Sequence, residues 1–316
     1  MPRIKIITNP SADRGHASDL AVPLQQQIKS QALAASGSSA RYSIDWAFTE
    51  GPRHATALAL QAAQEGYDTV VAVGGDGTVH EVINGLMQVE VEKRPILGVI
   101  PVGSGNDFAH NLGLPSTSIE AGLAIFHGQP RAVDVGIISD GNGRAEYWNN
   151  TIGVGFSGAV NTATRKLTWL RGFLIYLVGV LQTIITRPLK VNASIRIDDE
   201  TIERKVAMVS ICNGPREGGG FPVAPTAIMD DGLISYSIMR GMSRLQMLYF
   251  VPVVMNAKQL NYPDFFSFGT ARTFGLSAGE ALDVHLDGEI FARPSDNVQK
   301  IQASMLPAAL RVWAPA

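Results

Sequence analysis

Hydrophobic and polar positions follow two different rhythms along the chain, and the change falls near residue 131. Before it, short apolar runs are separated by stretches with helical spacing. Residues 3–8 predict a strand with Ile4 and Ile6 on one face, and residues 17–34 carry a helix-like pattern. Residues 44–48 predict a second strand. Pro52 stands where a first helical turn opens, and Ala55, Leu58, Ala59 and Ala62 then form a narrow stripe. Residues 69–73 and 96–100 are a third and a fourth strand. Strand and helix alternating at this spacing predict a parallel sheet with helices on both faces.

After residue 131, strand-like runs follow one another: 131–138, 145–154, 190–197, 202–212, 233–239, 271–276 and 282–291. Val191, Ala193, Ile195 and Ile197 alternate with polar residues, as in a half-buried antiparallel strand. Asp198-Asp199-Glu200 and Asp287-Gly288 read as tight hairpin turns. Helices are expected at 158–186 and 243–259. The run at 298–306 predicts a last strand whose neighbours the pattern does not name. The reading is two domains, 1–130 and 131–294, with the C-terminal stretch 295–316 open to returning to the first.

Composition narrows the choice of function. With 316 residues and 46% hydrophobic, two ordinary cores can be filled. The net charge of -2 argues against a nucleic-acid partner, which needs a basic surface. A single cysteine, Cys212, excludes an internal disulfide and suits a reducing compartment. The opening MPRIKIITNP has too short an apolar segment for a signal peptide. Residues 169–185 (WLRGFLIYLVGVLQTII) are apolar, but a bilayer span needs roughly 20 such residues. A buried or groove-lining helix is expected there, with a membrane-contacting surface as the alternative. Arg165, Lys166 and Arg171 give this stretch a basic edge, suited to anionic head groups or simply to solvent.

The chemistry concentrates where two strands end. After the run at 69–73 comes Gly74-Gly75-Asp76-Gly77-Thr78, and a helical face of Val79, Val82, Ile83, Leu86 and Met87 begins at once. Glycine tolerates positive φ and lets a ligand approach the backbone closely. Thr78 and Glu81 have the spacing of a capping box. Free amides at a helix start, at the carboxyl edge of a parallel sheet, form an anion site. A carboxylate beside a phosphate would repel it unless a cation lies between, so Asp76 points to a magnesium ion. The plainer reading is a tight turn. A second loop of the same design, Gly103-Ser104-Gly105-Asn106-Asp107, follows the strand ending at Pro101. Ser104 offers a donor and Asp107 a second carboxylate. Asn9 to Gly15, after the first strand, is a third element able to close over a nucleotide.

GGDGTVHEVINGL with PVGSGNDFA resembles the catalytic domain of the diacylglycerol kinase and sphingosine kinase superfamily, in particular its soluble bacterial lipid kinases. NPSADRG at 9–15, Thr49, DDGL at 230–233 and HLDGE at 285–289 extend the resemblance along the chain. It implies an α/β fold of two domains. The first is a nucleotide-binding domain like that of NAD kinases and phosphofructokinases; the second is a mostly antiparallel β-sandwich for the lipid. It implies that Asn9, Pro10, Ser11, Thr49, Gly74, Gly75, Asp76, Gly77, Thr78, Val79, His80 and Ser104 bind ATP. His80 stands where bacterial relatives often have Asn. Glu289 would be the general base, with Asp76 and Asp107 catalytic. A magnesium would sit at Asp231 and the carbonyls of Ile228 and Leu233, where a type I turn is the other reading. His285 is expected at the surface and Cys212 in the core. Gly218 to Gly220 is either a border of the acceptor groove or a plain connection.

The function expected is Mg2+- and ATP-dependent phosphorylation of a hydroxyl on a diacylglycerol-like lipid. The enzyme would be cytoplasmic and meet the inner face of the membrane transiently, with a homodimer left open. A NAD kinase and a catalytically silent nucleotide- or lipid-binding regulator are the alternatives.

Overall fold

The computed structural model describes residues 1–35, 42–115, 117–167 and 173–315. The chain divides into two compact units, Met1–Val133 with Ala308–Ala316, and Asp134–Pro307. The divisions therefore fall at 133/134 and 307/308, where the pattern placed them at 130/131 and 294/295.

The first unit runs β1 (Arg3–Thr8), α1 (His16–Ala35), β2 (Ser43–Phe48), α2 (His54–Gln64), β3 (Thr69–Gly74), α3 (Asp76–Leu86), β4 (Ile96–Pro101), α4 (Asp107–Asn111) and α5 (Ser118–His127). Its strands pair in parallel in the order β2-β1-β3-β4. Every residue of β3 is buried, which is why its sequence is an unbroken apolar run rather than an alternation. Ile4, Ile6, Val71, Val73 and Ile100 pack against Leu24 and Ile28 of α1 and Ile125 of α5. Helices α2 and α3 lie so close that a Cβ on Gly85 would sit 2.8 Å from the Cβ of Ala59. The alanine stripe of α2 and this glycine are one feature, a tight helix–helix seam.

β5 (Gln129–Ser139) leads into the second unit. There follow β6 (Ala145–Trp148), β7 (Thr151–Gly155), α6 (Phe156–Thr164), α7 (Phe173–Thr186), β8 (Val191–Ile197), β9 (Glu200–Cys212), β10 (Ile234–Arg240), α8 (Arg244–Met255), β11 (Phe266–Ala271), β12 (Thr273–Ala278), β13 (Val284–Leu286), β14 (Glu289–Ala292) and β15 (Lys300–Ala314). Pairing is antiparallel along β14-β13-β7-β9-β8-β12-β15, and β10 bridges β9 to β11. Trp148, Ile195, Val209, Phe274 and Ile301 centre its sandwich core. A second core, with Met247, Phe250 and Ile184, lies under α7 and α8. β15 leaves this unit at Pro307, and in the first unit its Val312 pairs in parallel with Leu97 of β4.

Three expectations are corrected. The helix expected over 158–186 is two helices, α6 and α7; Trp169 and Arg171 fall among residues 168–172, outside the described residues. The strand expected over 145–154 breaks at Asn149 and Asn150, because their amides and that of Thr151 all donate to the Asp287 carboxylate. The capping box of Thr78 and Glu81 does not form. Gly75 is the N-cap of α3, and the Glu81 carboxylate instead takes the amides of Arg53 (2.8 Å) and Ala55 (3.1 Å) at the start of α2. Thr78 lies inside the first turn of α3 rather than before it, and Glu81 serves the neighbouring helix across the seam.

Candidate active site

In the first unit, β1, β2, β3 and β4 end at one carboxyl edge, and the loops expected to bind nucleotide lie on it. Asn9 follows β1, and its amide donates to the carbonyl of Val73 in β3 at 3.0 Å. Its side chain works in both directions. Oδ1 accepts from the Ser11 amide at 3.0 Å and shapes the exposed turn through Pro10, while Nδ2 donates to Thr78 Oγ1 at 3.1 Å. Thr49 follows β2, is buried, and donates its amide to the carbonyl of Thr8 at 2.9 Å. The chain thus brings Asn9, Ser11, Thr49 and Thr78 to the same edge.

Gly75 and Gly103 are the centre of the arrangement. A Cβ on Gly103 would stand 2.5 Å from Gly75 Cα and 2.8 Å from Asn106 Oδ1. Backbone against backbone is the only packing that fits, so both loops need glycine at the contact. The Val102 amide donates to the Gly74 carbonyl at 2.9 Å and extends the β3–β4 pairing into the loops.

Asp76 occupies the first turn of α3, where a negative charge suits the helix dipole. Its Oδ1 accepts from the amide of Phe108 at 3.3 Å, in the first turn of α4. The Asp76 carboxylate therefore lies beside the main chain next to Asp107, itself buried. Asn106, at φ 53°, donates Nδ2 to the Gly103 carbonyl at 2.7 Å and leaves Oδ1 buried without a partner. The Asp76 carboxylate and the unsatisfied amide oxygen of Asn106 are oxygen donors of the kind a hard cation takes. Ser104 is exposed at the tip of its loop. Val79 and His80 point into the protein; both are buried, with the His80 ring 3.3 Å from Asn84 Nδ2.

In the second unit, the HLDGE stretch is a hairpin turn between β13 and β14. Asp287 (φ 51°) and Gly288 (φ 87°) are both left-handed, as a tight turn between twisted strands requires. Asp287 is buried and its carboxylate takes the three amides that break the β6–β7 run. The Gly288 carbonyl accepts from Asn161 Nδ2 at 2.7 Å and from Arg165 Nη2 at 3.0 Å. Glu289 is half exposed, its Oε2 2.7 Å from Arg165 Nη2. His285, expected at the surface, is buried instead: its Nε2 lies 2.8 Å from Ser157 Oγ, which donates to Glu217 Oε1 at 2.6 Å. All three residues of β13 are buried, and on the face opposite Val284 and Leu286 this polar chain satisfies the His285 ring. Asn161, Ser157 and Glu217 had no sequence signal, since two lie on α6 and one just before the Gly218–Gly220 loop; Arg165, at the end of α6, was marked only as part of a basic edge.

At DDGL, Asp231 Oδ1 accepts from the Leu233 amide at 2.9 Å, and the buried carboxylate of Asp134 takes the Gly232 amide at 2.6 Å. The expected ligands Asp231, Ile228 and Leu233 offer one carboxylate and two carbonyls. A hard cation takes six or more oxygens, so water would have to complete that shell. Among the described residues no group of three or more His, Cys, Asp or Glu is placed to hold a metal.

Comparison with known proteins decides the family. The diacylglycerol kinase catalytic domain matches residues 3–138, and the YegS C-terminal NAD kinase beta sandwich-like domain matches 150–314. This chain belongs to the diacylglycerol kinase-like lipid kinases. It is 34% identical over 275 residues to a probable YegS-like lipid kinase of Chromohalobacter salexigens, covering 86% of this chain and 83% of that protein. It is 28% identical over 292 residues to a diacylglycerol kinase of Bacillus subtilis, covering 92% and 90%. A crystal structure of a diacylglycerol kinase from Bacillus anthracis superposes with a TM-score of 0.70 at 20% identity, over 99% of this chain and 96% of that one, and shares the fold. Membership in the lipid kinases makes the chain a kinase, and kinases use ATP.

Proposed function

We propose that this lipid kinase transfers the γ-phosphoryl group of ATP to a hydroxyl of a diacylglycerol-like membrane lipid, with Mg2+. The observation that carries the proposal is the Gly75–Gly103 contact, with the Asp76 carboxylate bonded to the amide beside Asp107. Amides of Gly75 to Gly77 and the hydroxyl of Ser104 would cradle the phosphates. Asn9, Pro10, Ser11 and Thr49 would hold the nucleoside end. Asp76 and Asp107, with Asn106 Oδ1, would hold Mg2+, which supplies neutralisation of the charge on the transferring phosphoryl oxygens. Asp231, Ile228 and Leu233 would be a second, water-completed position with no part in the transfer.

Glu289 is the proposed general base, accepting the hydroxyl proton of the lipid as the phosphoryl group moves. Two supports bear on it. The turn that carries it is held at Asp287, at the Gly288 carbonyl and at its own carboxylate. Its half-exposed position leaves an oxygen accessible to an acceptor. The enzyme would work in the cytoplasm at the inner face of the membrane. A lipid extract incubated with labelled ATP and Mg2+ tests the reading, with mass identification of the product. A labelled lipid supports it; no labelled lipid from a folded, metal-loaded enzyme would defeat it, and labelled NADP from NAD would make the chain a NAD kinase.

A further inference from the structure

Helices α7 and α8 meet at their ends. Arg244 Nε, in the first residue of α8, donates to the carbonyl of Ile184 near the end of α7 at 2.9 Å. Ile185 and Leu245, the residues next to this contact on each helix, both face solvent, 70% and 80% exposed. Leu174, Leu181 and Ile185 recur along α7 at helical spacing, and Leu245, Leu248 and Tyr249 do so along α8, all of them exposed. The opposite faces, with Val180, Ile184, Met247 and Phe250, fill the core below. An outward apolar face on two adjoining helices needs an explanation that scattered surface leucines do not.

Charge says what covers it. Residues 173–190 and 241–262 contain Arg187, Lys190, Arg244 and Lys258 and no aspartate or glutamate. Neither stretch is long enough to enter a bilayer fully, and no helix among the described residues is long and apolar enough to cross one. A second copy docking face to face would set these cations against their own images. An anionic lipid surface matches both features, taking the apolar side chains to the acyl boundary and the cations to the phosphates.

We infer that the outward face of α7 and α8, centred on Ile185 and Leu245, is the surface by which this kinase docks on anionic bilayers. The inference rests on the proposal of a membrane lipid as acceptor, but it concerns binding and is read without turnover. Sedimentation with vesicles of phosphatidylcholine alone, and of phosphatidylcholine with phosphatidylglycerol, tests it in the absence of ATP. The wild-type chain sediments with the mixed vesicles and releases as salt rises. The variant Ile185→Ser/Leu245→Ser binds them about 30-fold more weakly, from two apolar side chains kept out of the interface. Leu248→Ser/Tyr249→Ser repeats the result if the first variant folds poorly. Both variants phosphorylate dispersed short-chain diacylglycerol at the wild-type rate. Wild-type chain that stays in the supernatant, or variants that sediment like wild type, would overturn the inference. So would a wild-type dimer in light scattering that the variants convert to monomer. If vesicle binding falls as expected while no lipid is ever phosphorylated, the docking surface stands and the acceptor reading alone fails.

Discussion

Arg165 Nη2 reaches both the carbonyl oxygen of Gly288, at 3.0 Å, and Glu289 Oε2, at 2.7 Å. One guanidinium from the end of α6 thus ties the carboxylate of the proposed base to the turn that carries it. Both partners are nearly half exposed, so the pair adds little stability. Its consequence is positional. Arg165→Met should change unfolding free energy by under about 0.5 kcal/mol. The same variant should lower kcat about 10- to 100-fold with nucleotide KM unchanged. Arg165→Lys keeps the charge but carries it on a shorter, flexible and more strongly hydrated head that holds Glu289 less firmly, and should recover only part of kcat. Steady-state kinetics on the two variants check this, and an unchanged kcat would separate Arg165 from the chemistry.

Asp76 is the first residue of α3 and only partly buried. Asp76→Ala should therefore keep the fold, costing about 1 kcal/mol from the helix dipole and the Phe108 amide bond. Turnover should fall by about 1,000-fold or more as the cation loses a ligand. Calorimetric titration of a non-hydrolysable ATP analogue should show the Mg2+ dependence of binding weakened. Full activity in the variant would return Asp76 to the role of a turn residue.

Gly103 cannot accept a side chain without moving Gly75. Gly103→Ala should separate the two loops and weaken nucleotide affinity, with a stability loss of about 1–3 kcal/mol from the forced backbone shift. Gly279, where an added Cβ meets nothing within 4 Å, is the control. Gly279→Ala should bind nucleotide like the wild type, and thermal shift with and without nucleotide compares the two.

Asp198 accepts from the amides of Thr273 (2.8 Å) and Arg272 (2.9 Å), joining the β8–β9 turn to the start of β12. The Thr273 amide bond, with that of Arg272, holds the carboxyl below its ordinary value of 3.8. A lowered folded-state pKa means that the ionised form is the one favoured by folding. Its stabilisation is present above the ordinary value and is lost as the pH falls through the lowered one. Asp198→Ala should then melt below the wild type at neutral pH, and the gap should close as pH drops below about 4. A gap that persists at pH 2–3 would assign the effect to the positive-φ turn rather than to the charge.

Much of this was legible along the chain. β3 and β4 stand where unbroken apolar runs marked them, because a strand buried on both faces leaves no alternation to misread. Glycine-rich junctions after β3 and β4 were equally visible, since glycine at such a position signals close approach. Local pattern could not say which helix Glu81 caps, because a carboxylate four atoms long reaches a neighbouring element as readily as its own. Nor could it see that Asp287 interrupts the run at 145–154, since the amides concerned are more than 130 residues away. His285 was misjudged for the same reason: its partner Ser157 lies on α6, and a polar residue is read as exposed until its partner is known. The sequence by itself determined the element types, the two-part plan and the residue chemistry of the loops, all of which depend on neighbours a few positions apart. The tertiary structure alone decided that Gly75 meets Gly103, that Arg165 holds Glu289, and that Arg244 of α8 meets the end of α7, because each depends on contacts between segments the chain separates and only packing brings together.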